Sequence, residues 1–542
     1  MYKMKDIDRR SALKLMAGAS ALLSPSNFSL QAQSVRKSPN KPNVLFLMVD
    51  QQRFDTIAAL GNRTIYTPHL DRLVDRGLAF TNTYSPCPVC VPARYCIRTG
   101  CKPPTTSIFC NERAHPAPNQ APTMTGRCGP YLAQTMKNLG YRTFGIGKFH
   151  TIPWDEELGY DVHLHSEELY STPDQRKRDS YASWIATQHS EFNFIEGLMG
   201  ERTEMYYMPQ MSPMPAAVTV EGWVATQAVD QIGRQDNRPY FGFVSFIGPH
   251  PPFAPPIPFN RLYDPDRMPN PVVGDLENDF MDEQIPFMNY EVWANDIGES
   301  HARVLKARYY GEITYIDSCI GRILDAVERR GDAENTVICF FADHGDHLGD
   351  HHGWQKESFF EASCHVPLLV SWPARLPAAH RRNDLACLTD LFGIATGAAG
   401  HQEIRQGNDI LGVTAGTPQE RQDLVCFYGD PGSRQFKVMV RFEQWKYIFM
   451  ANGGREQLFH LQDDPNELTN EAKIRSEIKQ QLYGKALAAC QTPELRAVLD
   501  GDGLRKLPFQ ARPLRRIYQF DRSRGITSFP NKPEDVLKHW HS

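Results

Sequence analysis

The sequence predicts an α/β protein: a large domain on a mostly parallel mixed sheet flanked by helices, then a smaller C-terminal α+β subdomain with an antiparallel sheet. Three observations lead there. Apolar runs at Asn43 to Val49, Tyr240 to Ile247 and Thr336 to Ala342 are continuous rather than alternating, as in strands buried on both faces. Each run ends in a cluster of polar or ionisable residues, and in open α/β sheets ligand groups gather at the carboxyl ends of strands. After a Gly-containing polar break from Gly412 to Arg421, the pattern becomes short segments that pair as hairpins.

Length and charge set the frame. A chain of 542 residues can bury a large core and a smaller one. A formal net charge of -4 gives no whole-chain bias toward nucleic acid or an anionic membrane, so any anion selectivity must be local. Residues 1–33 read as an export signal: Arg9-Arg10 is followed by Leu13-Lys14, and an apolar run ends at Leu23, too short to span a bilayer. The R-R-x-x-L-K pattern resembles a twin-arginine signal, with Ala12 where Phe is usual, and Gln31-Ala32-Gln33 offers a cleavage point. The expected address is periplasmic or secreted, with no transmembrane segment. Residues 34–42 form a linker, 43–420 the large domain, and 421–542 the C-terminal subdomain and tail. Twelve cysteines permit disulfides in an exported protein, and five of them, Cys87, Cys96, Cys101, Cys110 and Cys128, surround Cys90 without a pairing that can be assigned.

Taken in order, the first strand delivers Asp50-Gln51 at its carboxyl end. Pro68 sits in the first turn of a short helix that Gly77 ends, and Leu78 to Tyr84 is the next strand. It leads into Ser85 to Gly100, with Cys90-Val91-Pro92-Ala93-Arg94 at the centre. If Cys90 opens a helix, the free amides and dipole there favour an anion, and Arg94 lies on the same face. Pro130 to Leu139 is an amphipathic helix capped by Gly140, and the strand Arg142 to Ile146 exits into Gly147-Lys148-Phe149-His150. From Pro153 to about Gln235 the chain is polar and irregular and carries no motif. Its place between two strand ends suggests loops around a pocket.

The strand Tyr240 to Ile247 stops at Gly248-Pro249-His250-Pro251, where an imidazole in a rigid turn suits a general acid. His301 to Arg330 has a long helical period and packs on the sheet. Thr336 to Ala342 exits into Asp343-His344-Gly345-Asp346-His347. With Asp50 and Gln51, Asp343 and His344 make a four-ligand set for one divalent cation. Its oxygen-rich character suits Ca²⁺, Mg²⁺ or Mn²⁺ better than Zn²⁺, with Ca²⁺ first and the imidazole leaning toward Mn²⁺. Val366 to Trp372 reads as the last strand of the large domain, and Leu388 to Leu391 starts a helix. Phe436 to Arg441, Trp445 to Met450 and Gln457 to His460 are the hairpin strands. The tail from about Thr492 is basic and aromatic.

The string Cys90-Val91-Pro92-Ala93-Arg94 resembles the signature of type I sulfatases, the formylglycine-dependent branch of the alkaline phosphatase superfamily. The Asp50-Gln51 pair, Lys148-Phe149-His150, the His250 turn, the Asp343-to-His351 run, Lys356 and Asp464 to Leu468 match that family in order. The resemblance implies that a maturation enzyme oxidises Cys90 to formylglycine. The hydrated aldehyde accepts the sulfuryl group on one hydroxyl and expels sulfate through the other. It implies that Arg94 holds the modified side chain, that Lys148 and Lys356 bind sulfate, and that Asp343 takes a proton during attack. His250 would protonate the leaving alcohol and His150 would assist sulfate release. The expected substrate is a sulfated carbohydrate. His344, where many sulfatases have Asn, and Gln51 resemble the phosphonate monoesterase branch, so phosphonate monoester or phosphodiester hydrolysis is the second reading. An inactive relative that binds sulfated glycan is the third.

Overall fold

The computed structural model describes residues 41–111, 123–168, 173–193, 206–413 and 416–514. The expected export signal, most of the linker and the tail beyond 514 lie outside the described residues.

Eight strands form the large sheet: β1 (Asn43–Val49), β2 (Leu78–Tyr84), β3 (Arg142–Gly147), β4 (Val162–His165), β5 (Tyr240–Ser245), β6 (Thr336–Ala342), β7 (His365–Ser371) and β8 (His380–Cys387). Their order is β4-β3-β5-β1-β6-β7-β2-β8. Only β7 runs against its neighbours, pairing antiparallel with both β6 and β2. The carboxyl ends of β1, β2, β3, β5 and β6 therefore share one edge, the edge where chemistry collects in such sheets. The central strands β1 and β6 are buried along their whole length, which explains their unbroken apolar sequences.

The long helix, Glu299–Arg329, presents Ile313, Ile316, Ile320 and Ile323 to the core and leaves Arg329 near its carboxyl end. The helix Cys90–Thr99 is buried throughout and ends at Gly100, whose φ of 66° is left-handed. Among the described residues the twelve cysteines form no disulfide.

Three expectations need correction. The stretch from Pro153 to Gln235 is not irregular throughout: it contains the edge strand β4 and the helices Ser180–Gln188 and Val220–Gly233. The second helix buries Val220, Trp223, Val224, Ala228 and Ile232, a spacing of three and four masked by the polar residues between them. The strand at Val366 is not the last of the sheet, because β8 follows and pairs with β2. Its first half, His380 to Asp384, is polar and at least partly exposed, as an edge strand allows. The C-terminal sheet has four strands rather than three, β9 (Asp423–Tyr428), β10 (Lys437–Phe442), β11 (Trp445–Met450) and β12 (Arg455–His460), in the order β12-β11-β10-β9. The helix Ser476–Cys490 covers it through Leu482, Ala486 and Cys490.

Candidate active site

The candidate site residues come from six segments, and the sheet edge brings them together. Asp50, Cys90, Asp343 and His344 are all buried, with ligand atoms lying within 4.8 Å of one another. Arg94, one turn along the helix from Cys90, organises them. Its Nε donates to Asp343 Oδ2 at 2.8 Å and its Nη2 to Asp50 Oδ2 at 2.7 Å. Its Nη1 donates to the Lys148 carbonyl at 2.6 Å and to Ser245 Oγ at 3.2 Å. One guanidinium thus ties together the ends of β1, β3, β5 and β6. Its hydrogen bonds reach the two carboxylates rather than Cys90.

With one oxygen of each carboxylate held by Arg94, the other turns inward. Asp50 Oδ1 lies 3.6 Å and Asp343 Oδ1 3.7 Å from His344 Nε2. His344 Nδ1 sits 3.0 Å from the Gly345 carbonyl, which can only accept, so Nδ1 carries the proton and the Nε2 lone pair faces the cluster. Cys90 Sγ is 3.1 Å from that nitrogen. Two carboxylate oxygens and an imidazole lone pair facing one point are the donor set that a divalent cation requires, and their second atoms are already fixed by other partners. The residues present fit such an ion. Gln51 stands beside them: its Oε1 accepts from Lys356 Nζ at 2.7 Å and its Nε2 donates to Asp346 Oδ2 at 2.6 Å. Its backbone has a φ of 67° at the strand exit, the left-handed region that non-glycine residues enter mainly where surrounding structure holds them.

The cations lie around this group. Lys148 Nζ is 2.7 Å from Asp50 Oδ2 and also meets Glu168. Lys356 Nζ is 3.0 Å from His250 Nε2. Burial alone would raise Asp50, yet Lys148 and then Arg94 override it and hold the carboxyl well below its usual range. Burial opposes the charge on Lys148, but Asp50 and Glu168 raise its pKa above the ordinary lysine value. Burial, with Asp50 beside it, pushes the Cys90 thiol up to about 12. Burial and Lys148 lower His150 to about 4. Among the described residues, His150 Nδ1 is shielded from solvent with no hydrogen-bond partner.

Two acids of the site were missed by sequence reasoning. Glu167 accepts the backbone N–H of Phe149 at 3.1 Å and of His150 at 2.6 Å, fixing the turn after β3. Glu168 meets Lys148 and His250. Both lie just past β4, so the rule that strands exit into chemistry would have found them had that four-residue strand been recognised. Asp346 was in view within the Asp343 run but was given no role.

A doubly wound sheet carrying a candidate cation site beside paired lysines and two histidines suits an ester hydrolase of charged groups. Comparison with known proteins makes the class specific. The sulfatase family matches residues 42–401, and the C-terminal region of N-sulphoglucosamine sulphohydrolase matches 349–491. The chain belongs to the sulfatase family and is a sulfuric ester hydrolase. A choline-sulfatase of Rhizobium meliloti is 28% identical over 455 residues, covering 80% of this chain and 83% of that one. An N-acetylglucosamine-6-O-sulfatase of Bacteroides thetaiotaomicron is 23% identical over 516 residues, covering 86% and 87%. Among solved structures, the phosphonate monoester hydrolase of Agrobacterium radiobacter superimposes with a TM-score of 0.69 at 23% identity, over 87% of this chain and 100% of that one, a likeness of fold.

Proposed function

We propose that this chain is an exported enzyme hydrolysing sulfate esters of carbohydrates, with residue 90 acting as formylglycine and one divalent cation held by Asp50, Gln51, Asp343 and His344. The observation that carries the reading is the convergence of Cys90 with three ligating side chains inside 4.8 Å. A thiol pushed up to about 12 is almost wholly protonated at neutral pH and makes a poor nucleophile as it stands. Cys90 is also only 1% exposed, so its oxidation must precede folding. A maturation enzyme acting on the unfolded chain, followed by twin-arginine export of the folded protein, satisfies both conditions.

When present, formylglycine supplies a geminal diol for attack and release, and the cation supplies Lewis-acid stabilisation of developing charge. The remaining work falls to the chain. Arg94 holds the two carboxylates, and Asp343 accepts the proton of the attacking hydroxyl. Lys148 and Lys356 neutralise charge on the sulfuryl oxygens. His250 protonates the leaving alcohol. His150, neutral above about pH 4 and with an unpartnered nitrogen, draws off the second hydroxyl proton to release sulfate. Calcium is the proposed ion, with Mn²⁺ and Mg²⁺ as competitors for the oxygen-rich set. Metal analysis of the purified enzyme decides between them.

The carbohydrate assignment is supported by the near full-length alignment with the N-acetylglucosamine-6-O-sulfatase. The choline-sulfatase likeness supplies its competitor. His344, with its lone pair facing the cation site, and Gln51 favour phosphonate monoester or phosphodiester hydrolysis as a second reading. The test starts from the mass of the Cys90 peptide, which must show conversion. Sulfate release is then followed from sulfated sugars and choline sulfate beside phosphonate and phosphate diesters. Sulfate from one sugar class supports the proposal; efficient cleavage of only the phosphorus esters overturns it. An unconverted thiol in the exported protein would point to a glycan-binding relative. Cys90→Ala should abolish turnover with an unchanged melting temperature, and substantial residual activity would refute the scheme.

A further inference from the structure

One half-buried carboxylate at the site has no part in that scheme. Glu168 lies three residues past β4, with its side chain 16% exposed. Its Oε2 meets Lys148 Nζ and stands 3.3 Å from Nδ1 of His250. That Nδ1 is also 2.7 Å from the Pro251 carbonyl oxygen. A carbonyl can only accept, so Nδ1 carries a proton, and in the neutral ring the lone pair is on Nε2, 3.0 Å from Lys356 Nζ. A proton bound for the leaving oxygen must be carried on Nε2 while Nδ1 keeps its own. His250 can act as an acid only as imidazolium.

Its surroundings oppose that state. The ring is 2% exposed, and Lys356 and Lys148 face it from two other segments. Tyr206 packs edge-on with ring centroids 5.2 Å apart and brings no charge. Asp50 at the end of β1 is a favourable charge whose Oδ2 is already shared by Arg94 and Lys148 and whose Oδ1 faces His344. Glu168 is the carboxylate placed directly on the Nδ1 side.

We propose that Glu168 is a positioning residue for the leaving-group step: its carboxylate is the counter-charge that lets His250 carry a second proton on Nε2 toward the departing alcohol oxygen. The proposal rests on the reading of His250 as the acid. As the S–O bond breaks, its electron pair stays on the ester oxygen. The Nε2–H bond breaks and that proton goes to the same oxygen, leaving His250 in the neutral form with hydrogen on Nδ1. Solvent returns the proton in the next cycle.

A carboxylate that served only to neutralise Lys148 would affect every substrate alike. One that serves the acid matters only when the leaving oxygen needs a proton. The experiment compares Glu168→Gln with the parent matured enzyme on 4-nitrophenyl sulfate, whose phenolate leaves unaided, and on an alkyl or sugar sulfate that the enzyme turns over. His250→Ala and the double variant are measured alongside. Glu168→Gln should lower kcat on the alkyl ester by about 10²-fold, at least about tenfold more than on the aryl ester. It should add no further selective loss in the His250→Ala background. Equal losses on both esters, with His250→Ala still selective, would overturn the role of Glu168 and leave His250 standing. Equal losses in His250→Ala itself would overturn the underlying reading. Should Glu168→Gln fail to fold by thermal melting, Glu168→Asp replaces it; that variant should show a smaller selective loss, and a uniform one sinks the proposal.

Discussion

At the scale of single residues, the site is held by side chains whose two ends do different jobs. Asp50 and Asp343 each give Oδ2 to Arg94; Asp50 Oδ1 turns to the candidate cation site, and Asp343 Oδ1, beside it, also accepts the Gln51 and His344 amides at 3.2 and 3.0 Å. Gln51 is oriented in the same way by Asp346, whose Oδ2 accepts from Gln51 Nε2 at 2.6 Å and from the Tyr207 hydroxyl at 2.8 Å, while its Oδ1 accepts from the Leu348 amide at 2.7 Å. This leaves the Gln51 carbonyl oxygen turned toward Lys356. Removing such a support commonly costs about 10- to 100-fold in metal affinity. Asp346→Ala should therefore lose its ion at a chelator concentration that the parent resists, read as metal content after dialysis; unchanged retention would show that Gln51 needs no such support. The candidates Cys90, Arg94, Lys148, His150, His250, Asp343 and Lys356 could be singled out in the sequence because they sit in motifs of fixed spacing, most of them at a strand end or a helix start. Glu168 and Glu167 were not, because β4 is only four residues long and three of its four residues are half-exposed.

At the scale of elements, close approach of backbones decides which positions tolerate a side chain. Gly147 is the last residue of β3, with a φ of 97°, and a Cβ there would lie 1.9 Å from the Ser245 carbonyl oxygen on β5. That oxygen also accepts the Lys148 amide at 3.0 Å. Gly147→Ala would force the strand ends apart in a region where φ above zero already disfavours a Cβ. We expect a loss of about 1–3 kcal/mol of stability by urea titration and a larger loss of sulfate binding, since Lys148 is displaced with it. Wild-type stability and affinity would show that the strand end relaxes freely. The helix Val220–Gly233 went unrecognised in the sequence although its apolar spacing is regular. Gly222 in its first turn lowers its local propensity, yet it sits where a Cβ would lie 2.3 Å from the Ala216 carbonyl, and the neighbouring Glu221 accepts the Gly248 amide at 2.7 Å. Tertiary contacts overrode local preference there.

At the scale of the whole molecule, the two sheets are joined by buried charge as well as by apolar packing. Lys446 on β11 is fully buried; its Nζ pairs with Glu361 at 2.7 Å and Glu467 at 2.6 Å and donates to the Phe359 carbonyl at 2.6 Å. Glu361 also pairs with His365, the first residue of β7, at 2.7 Å. Lys446→Met would leave two carboxylates buried without their cation, at a cost of about 3–5 kcal/mol. The melting temperature should fall for the whole protein in one transition. A separate early transition of the C-terminal sheet would show that the two parts unfold independently. The pH response follows from buried imidazoles. Burial, followed by the nearby His351, lowers His347 to about 3, and its ring nitrogens bond the Asp350 carbonyl and Ser358 Oγ. The unfolded chain binds that proton near 6.5 and the folded one near 3, so the stability is fully present above pH 6.5 and is lost as pH falls toward 3. Thermal melts across that window should show a steady decline that His347→Gln reduces; a flat profile would refute it. Among the described residues no helix is long and apolar enough to cross a membrane.

What the amino-acid sequence determined by itself was the succession of buried strands and the chemistry at their ends. Period and composition are local properties, and a strand buried on both faces must be apolar throughout. Tertiary structure alone decided the strand order, the antiparallel β7, the edge strands β4 and β8 and the shared role of Arg94. These depend on which distant segments meet, and edge positions impose little pattern on the residues that occupy them. The placing of Glu168 beside His250 belongs to the same group. The two residues are far apart along the chain, and only the packing of β4 against β3 and β3 against β5 brings a carboxylate to that imidazole.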